Sequence, residues 1–375
     1  MNVLFRSWQA VAALVLTALA LVKLPLFAEA AANPLDGGTL ALIVLLAVGG
    51  SVAALLPLHR ALKALILFVA AHAGAWLLLS ALAGNEAEAR APFFLLIAAN
   101  WLLAWACVTH LSALKPRMPE RETLLRLLIP AIFGAWILIL WEAATRGFGV
   151  PFILLPPPSS IGVRIANSLP TLAADVRQTI FKAVLFGYVV GCASGFAIAI
   201  LADRVDFLRR GLLPIGNFVS ALPIIGIAPI MVIWFGFDWQ SKAAVVIVMT
   251  FFPMLVNTVA GLAAAGHMER DLMRTYASNY WQTLFKLRLP AAMPFIFNAL
   301  KINSTLALIG AIVAEFFGTP IVGMGFRIST EIGRLNLDMV WAEIAVAALA
   351  GSIFYGVIAL AERATTFWHP SIRGG

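Results

Sequence analysis

Apolar residues fill long blocks of this chain, each about 20 residues, with short polar clusters between them. A helix of that length rises about 30 Å, the thickness of a bilayer's hydrocarbon core. Barrel strands would instead alternate over about 10 residues. The blocks predict spans over 8–28, 39–57, 62–83, 92–114, 124–145, 178–202, 213–236, 243–265, 294–317 and 340–362. The first block runs from Trp8 to Phe27 behind Arg6, with small residues at Ala28 and Ala30 around Glu29. It exceeds the apolar stretch of a signal peptide, about 7–15 residues, and reads as an uncleaved span. The expected fold class is all-α, a polytopic membrane protein with about ten transmembrane helices.

Composition agrees with the pattern. The 375 residues are 62% hydrophobic and 12% charged, whereas a soluble domain is about half apolar and a quarter charged. The net charge of +8 does not imply a nucleic-acid partner, because basic residues collect in the cytoplasmic loops of membrane proteins. With the N-terminus inside, the inner loops hold Arg60 and Lys63; Lys115, Arg117 and Arg121; Arg204, Arg209 and Arg210; and Arg270, Arg274, Lys286 and Arg288. Glu29, Asp36, Glu86 and Glu88 then lie outside, with Arg90. An even number of spans returns Arg363 and Arg373 to the inner side. Cys107 and Cys192 lie in apolar blocks and the five histidines are scattered, so neither a disulfide nor a metal site is expected.

The most charged linker, KPRMPERET at 115–123, separates four Ala- and Leu-rich spans (1–114) from six spans with longer loops (124–375). Function is sought in the second part. The region 146–177 is long and contains LLPPPSSIGVRI, where consecutive prolines favour a stiff extended segment. Ser159 and Ser160 are candidate caps of a short helix running toward Leu169.

RTYASNYWQTLFKLRLPAAMP, residues 274–294, breaks the apolar pattern between two spans. Leu272, Tyr276, Tyr280 and Leu284 form one row at steps of four; Met273, Ala277, Trp281, Phe285 and Leu289 form the next. Arg274, Ser278, Gln282 and Lys286 occupy the other side. This is an amphipathic helix, or two, outside the bilayer. One reading lays it on lipid headgroups; the other makes it a ledge for a protein partner, with Tyr, Trp and Arg as anchors.

The spacing of this segment resembles the cytoplasmic loop of inner-membrane permeases of binding-protein-dependent ABC importers. In that loop a Glu-Ala-Ala start, a Gly and an Ile-x-Leu-Pro end stand at fixed intervals. Here Asp271–Leu272–Met273, Ala277, and Leu287 with Leu289–Pro290 take those positions. Ala277 disfavours the left-handed turn that glycine allows, so this residue argues against the family's bend there. LLPPPSSI, LPIGNFVSALPIIGIAPIMVIWFGFDWQSK and GAIVAEFFGTPIVGMGF resemble the nitrate, sulfonate, taurine and pyrimidine-precursor branch of these permeases. The resemblance covers about Leu124 to the C-terminus and implies a type I ABC importer permease core preceded by four extra helices of unassigned role. It implies that Asp271, Arg274, Tyr276, Ala277, Tyr280, Trp281, Leu287, Leu289 and Pro290 couple the chain to a cytoplasmic ATPase, two copies per transporter. It further implies a periplasmic solute-binding protein, a permease homodimer in the bacterial inner membrane with cytoplasmic termini, and no catalytic residue. The chain has no G-x-x-x-x-G-K-[ST] phosphate loop. No cofactor is therefore expected on this chain, and ATP is expected to be used by the partner.

Polar residues within spans are functional candidates by default. Glu315, Asn257 and Asn303, with the helix breakers Pro223 and Pro229, are the candidate lining of a translocation path. Glu142 and Glu343 sit near outer ends where side chains snorkel, and Lys301 is expected to fix the loop or meet headgroups. Gly187, Gly191 and Gly195 form a close-approach stripe, for packing within the chain or a dimer seam. The alternative is an ion-coupled secondary transporter, which predicts paired repeats and a midplane ion site; neither a repeat nor an acidic cluster at one depth is visible in the sequence. An intramembrane enzyme would need a nucleophile–base pair or metal ligands, which the sequence does not offer.

Overall fold

The computed structural model describes residues 7–28, 35–114, 118–220, 223–318 and 321–368. Arg6, Glu29, Ala30, Lys115, Arg117 and Arg373, used in the processing and charge arguments, lie outside the described residues. Every regular element among the described residues is helical, and extended backbone pairs only at an isolated bridge between Phe27 and Ala89. The chain forms two compact units, Met1–Gly162 and Val163–Gly375.

The first unit contains α1 (Trp8–Val22), α2 (Gly37–Leu55), α3 (Arg60–Ala81), α4 (Ala91–Ser112) and α5 (Pro119–Gly147). Between lipid-immersed helices close packing, rather than exclusion of water, drives association, and small residues permit it. Ala10, Ala13, Ala70, Ala71, Ala99 and Ala106 accordingly form much of the core. A Cβ on Gly50 would fall 2.8 Å from that of Ala70, and one on Gly74 would fall 2.4 Å from Asn100 Oδ1. Ile132 and Trp136 of α5 join this core. The fifth helix thus packs with the first four, and the division falls at 162/163 rather than at the 115–123 linker.

At the C-terminal end of α5, Arg146 reaches Glu86 at 2.9 Å and Glu142 at 3.2 Å. Glu142 also accepts from the Ser159 amide (2.9 Å) and hydroxyl (2.7 Å). It does not snorkel. It pins the start of α6 (Pro158–Asn167), the expected short helix, and Ser159 is the pinned residue rather than its cap.

In the second unit, α7 (Leu169–Val176) passes through a π-helical stretch, Arg177–Val184, into α8 (Leu185–Arg204). Then follow α9 (Asp206–Ser220), α10 (Ile224–Phe235), α11 (Trp239–Ala263), α12 (His267–Thr275) and α13 (Tyr280–Thr283). A second π-helical stretch, Leu284–Arg288, leads into α14 (Leu289–Glu315), followed by α15 (Met324–Gly333) and α16 (Leu337–Thr365). The glycine stripe of α8 packs within the chain. Added Cβ atoms on Gly187, Gly191 and Gly195 would fall 2.6, 2.1 and 2.5 Å from Val246, Thr250 and Phe251 of α11.

Among the described residues eight helices are long and apolar enough to cross a membrane. Two expected spans differ. The first is a helix of only 15 residues. The span placed at 213–236 is two helices, with Pro223 extended ahead of α10 and Gly236 at φ +84° behind it. Proline has no amide to continue a helix.

Candidate functional site

The loop between α11 and α14 is built from caps. Glu269 in the first turn of α12 suits the positive end of the helix dipole. The helix closes in a Schellman turn: the Ser278 amide donates to the Met273 carbonyl at 3.0 Å and the Ala277 amide to that of Arg274 at 2.9 Å. Ala277 occupies the left-handed position at φ +51°. The bend that alanine argued against is present, because these two hydrogen bonds hold it. Asn279 then caps α13, accepting from the Gln282 amide at 2.8 Å while the Gln282 side chain accepts from the Asn279 amide at 2.9 Å.

Helix α12 buries no residue. Met268, Leu272 and Tyr276, at steps of four, are 83%, 56% and 76% exposed, and Trp281 and Phe285 beyond the turn are open as well. Among the described residues nothing covers this apolar row, and an open row of this kind is a candidate surface for a partner. Asp271 and Arg274 form an exposed pair at 3.4 Å, a contact of little energetic weight.

The C-terminal half of the loop is fastened to the spans. Arg288 grips Asp203 at the end of α8 through two bonds of 2.6 and 2.7 Å, and donates to the Leu262 carbonyl at the end of α11. The Tyr280 hydroxyl donates to the same Asp203 carboxylate at 3.0 Å. Arg204 lies over the rings of Tyr280 and Trp281, 5.6 and 5.9 Å from their centroids. Leu284 is fully buried between these elements, and Leu289 packs on the core of the second unit. Leu287 and Pro290 are half-buried in the same turn. The turn that carries Tyr280 and Arg288 is therefore tied to three spans, α8, α11 and α14. Sequence reasoning placed Arg288 only as a loop charge and overlooked Asp203; an acid directly beside Arg204, at the end of an apolar span, was the available signal.

Residues 183–367 match the family described as binding-protein-dependent transport system inner membrane component. This stretch belongs to that family. Among its relatives, the formylaminopyrimidine transport permease protein ThiX of Halalkalibacterium halodurans is 28% identical over 239 residues, 64% of this chain and 95% of that one. The taurine transport system permease protein TauC of Escherichia coli is 27% identical over 281 residues, 70% of this chain and 97% of that one. The putative aliphatic sulfonates transport permease protein SsuC of Bacillus subtilis is 28% identical over 251 residues, 66% of this chain and 88% of that one. The family match lies wholly within the second compact unit.

The far end of this permease unit holds a buried polar network. Glu315 accepts from the Thr179 hydroxyl and the Gly325 amide, both at 2.7 Å. Asp175 accepts from the Gly323 amide at 2.6 Å and from Arg327 at 2.9 Å. Glu343 is fully buried beside Asp175 and Arg327, so it does not snorkel. Asp175, Glu315 and Glu343 thus form an acidic cluster that the sequence does not reveal, because its members come from three helices. Lys242 closes the network, donating to the carbonyls of Phe237 and Gly318. Asn303 is buried and donates to the Thr250 carbonyl at 2.8 Å. Asn257 donates to the Pro253 carbonyl of its own helix and stays half-buried; Pro229 is half-buried and Pro223 exposed. Lys301 meets Glu362 of α16 at 2.8 Å, not the loop or headgroups.

Proposed function

We propose that this chain is the membrane subunit of an ATP-driven importer that carries a small solute delivered by a periplasmic binding protein. Residues 271–290 are the coupling loop, inserted into a cytoplasmic ATPase. The observation that carries this reading is the unburied apolar row of α12, standing on a base fixed by Asp203 and Arg288. An interfacial helix needs an apolar face but no such rigid link to the spans. In this reading two permease chains pair and two ATPases use the ATP, with both termini of this chain on their side.

Asn257, Pro223 and Pro229 keep open surface and are assigned to the path. Asn303 and Glu315, closed within one chain, act as locks between helices. The relatives' names speak of a formylaminopyrimidine, aliphatic sulfonates and taurine; a sulfonate, taurine, nitrate or pyrimidine-like heterocycle is the proposed solute class here.

The test is co-expression of the tagged chain with an ATPase and a solute-binding protein from the same genome, followed by purification in mild detergent. Recovery of two permeases with two ATPases supports the reading, as does solute-stimulated ATP hydrolysis on adding the binding protein. A stable chain that retains no ATPase would overturn it.

A further inference from the structure

The first unit carries a cavity of about 810 Å³ among the ends of α3, α4 and α5, lined by His59, Arg60, Arg121, Leu114, Leu124 and Leu125 with small residues between. All three helices are long and apolar enough to span a bilayer, and the ends of a spanning helix fall at headgroup depth, where this cavity would then lie. Its charged lining is Arg60 and Arg121, and among the described residues no carboxylate lines it. Lys63 stands one turn further along α3, and its charge and that of Arg60 both act on His110 of α4. Helix α3 has no acidic residue in its first turn, so its own positive end adds to the excess. Among the described residues no ion pair neutralises Arg60, Lys63 or Arg121, and Glu122 on α5 is engaged with Arg126 at 2.8 Å.

A cationic floor beside a leucine wall asks for one amphipathic molecule with an anionic head. We propose that this cavity binds the phosphate headgroup of an anionic phospholipid, with Arg60 and Arg121 on the phosphate and Leu114, Leu124 and Leu125 along the acyl chains. Arginine suits the head because its planar fork pairs with two phosphate oxygens. Basic pockets between spans at this depth bind anionic headgroups. A free soluble anion would use the arginines but leave the leucine wall without purpose. The site gives the first unit a task separate from the permease unit: sensing or anchoring to anionic lipid.

The test uses the full chain, delipidated in detergent and read by native mass spectrometry and by melting temperature. Phosphatidylglycerol is expected to stay bound and raise the melting temperature where phosphatidylcholine does neither. Each lost cation is expected to weaken retention about fivefold, so Arg60→Gln with Arg121→Gln weakens it about 25-fold. Arg90→Gln, at the opposite end of α4 from the cavity, leaves it unchanged. Should the double variant fail to fold, Arg60→Lys with Arg121→Lys keeps the charge, and its retention must fall as sodium chloride rises. Equal retention of both lipids, a double glutamine variant that binds as before, or salt-independent retention would each overturn the site. Protection by glycerol 3-phosphate equal to that by the lipid would assign the cavity to a soluble anion instead and also overturn it.

Discussion

Arg288 and Asp203, 85 residues apart, share a two-point ion pair that is largely shielded from solvent, with side chains 16% and 5% exposed. Because Tyr280 uses the same carboxylate, a single acid at the end of α8 holds both halves of the turn between loop and span. Removing one partner of a shielded pair leaves a charge stranded, which costs about 3 kcal/mol. Arg288→Ala is expected to lower the melting temperature and cut solute uptake at least tenfold. In a double-mutant cycle with Asp203→Ala, the combined loss should be well below the sum of the two. Strictly additive losses would show that the pair does not act as a unit.

Ala277 holds a position that favours glycine, at a strain of about 1 kcal/mol for an L-residue. Ala277→Gly relieves that strain while loosening the unfolded chain, so stability should change by less than about 1 kcal/mol and coupling should survive. Ala277→Val places a branched side chain where it fits worst. The turn should open and ATPase co-purification should fall sharply, while the spans, judged by gel filtration and circular dichroism, remain intact.

The spans were legible because a bilayer imposes one length and one chemistry on every helix that crosses it. The amphipathic segment between α11 and α14 was legible because its polar residues interrupt that uniformity. Its connection to the spans was not, since Asp203 and Arg288 meet only through the tertiary fold. The same holds for Asp175, Glu315 and Glu343, drawn from α7, α14 and α16. Ala277 misled for a definite reason. Intrinsic preference disfavours its conformation, yet two backbone hydrogen bonds and a capping box on the following helix outweigh a penalty of about 1 kcal/mol. The place of α5 was hidden as well, because a charged linker marks the end of a loop and not the partner a helix chooses.

Tyr276 is the outermost aromatic residue of the row and makes little contact within its own chain. Its substitution by alanine should leave the isolated chain's melting temperature unchanged within error. If it anchors the ATPase, the complex should weaken about 30-fold, the equivalent of a hot-spot loss near 2 kcal/mol. Titrating the ATPase against permease in nanodiscs separates the two quantities. Unchanged affinity would move the partner surface away from this row.

Gly323 joins the buried network through its amide, which donates to Asp175, and two independent features exclude a side chain there. Its φ is +141°, a region essentially reserved for glycine, and an added Cβ would fall 2.8 Å from the Glu315 carboxylate. That carboxylate cannot retreat without losing Thr179 and the Gly325 amide, both at 2.7 Å. Gly323→Ala is therefore expected to destabilise the second unit by about 2 kcal/mol or more. Thr179→Ala removes one of the carboxylate's donors and the acceptor of the Met324 amide, 2.9 Å away, but leaves the backbone unstrained, so its loss should be the smaller of the two. Thermal unfolding in detergent, followed by tryptophan fluorescence, ranks them. Equal losses would mean that the hydroxyl, and not the glycine backbone, holds the start of α15 in place.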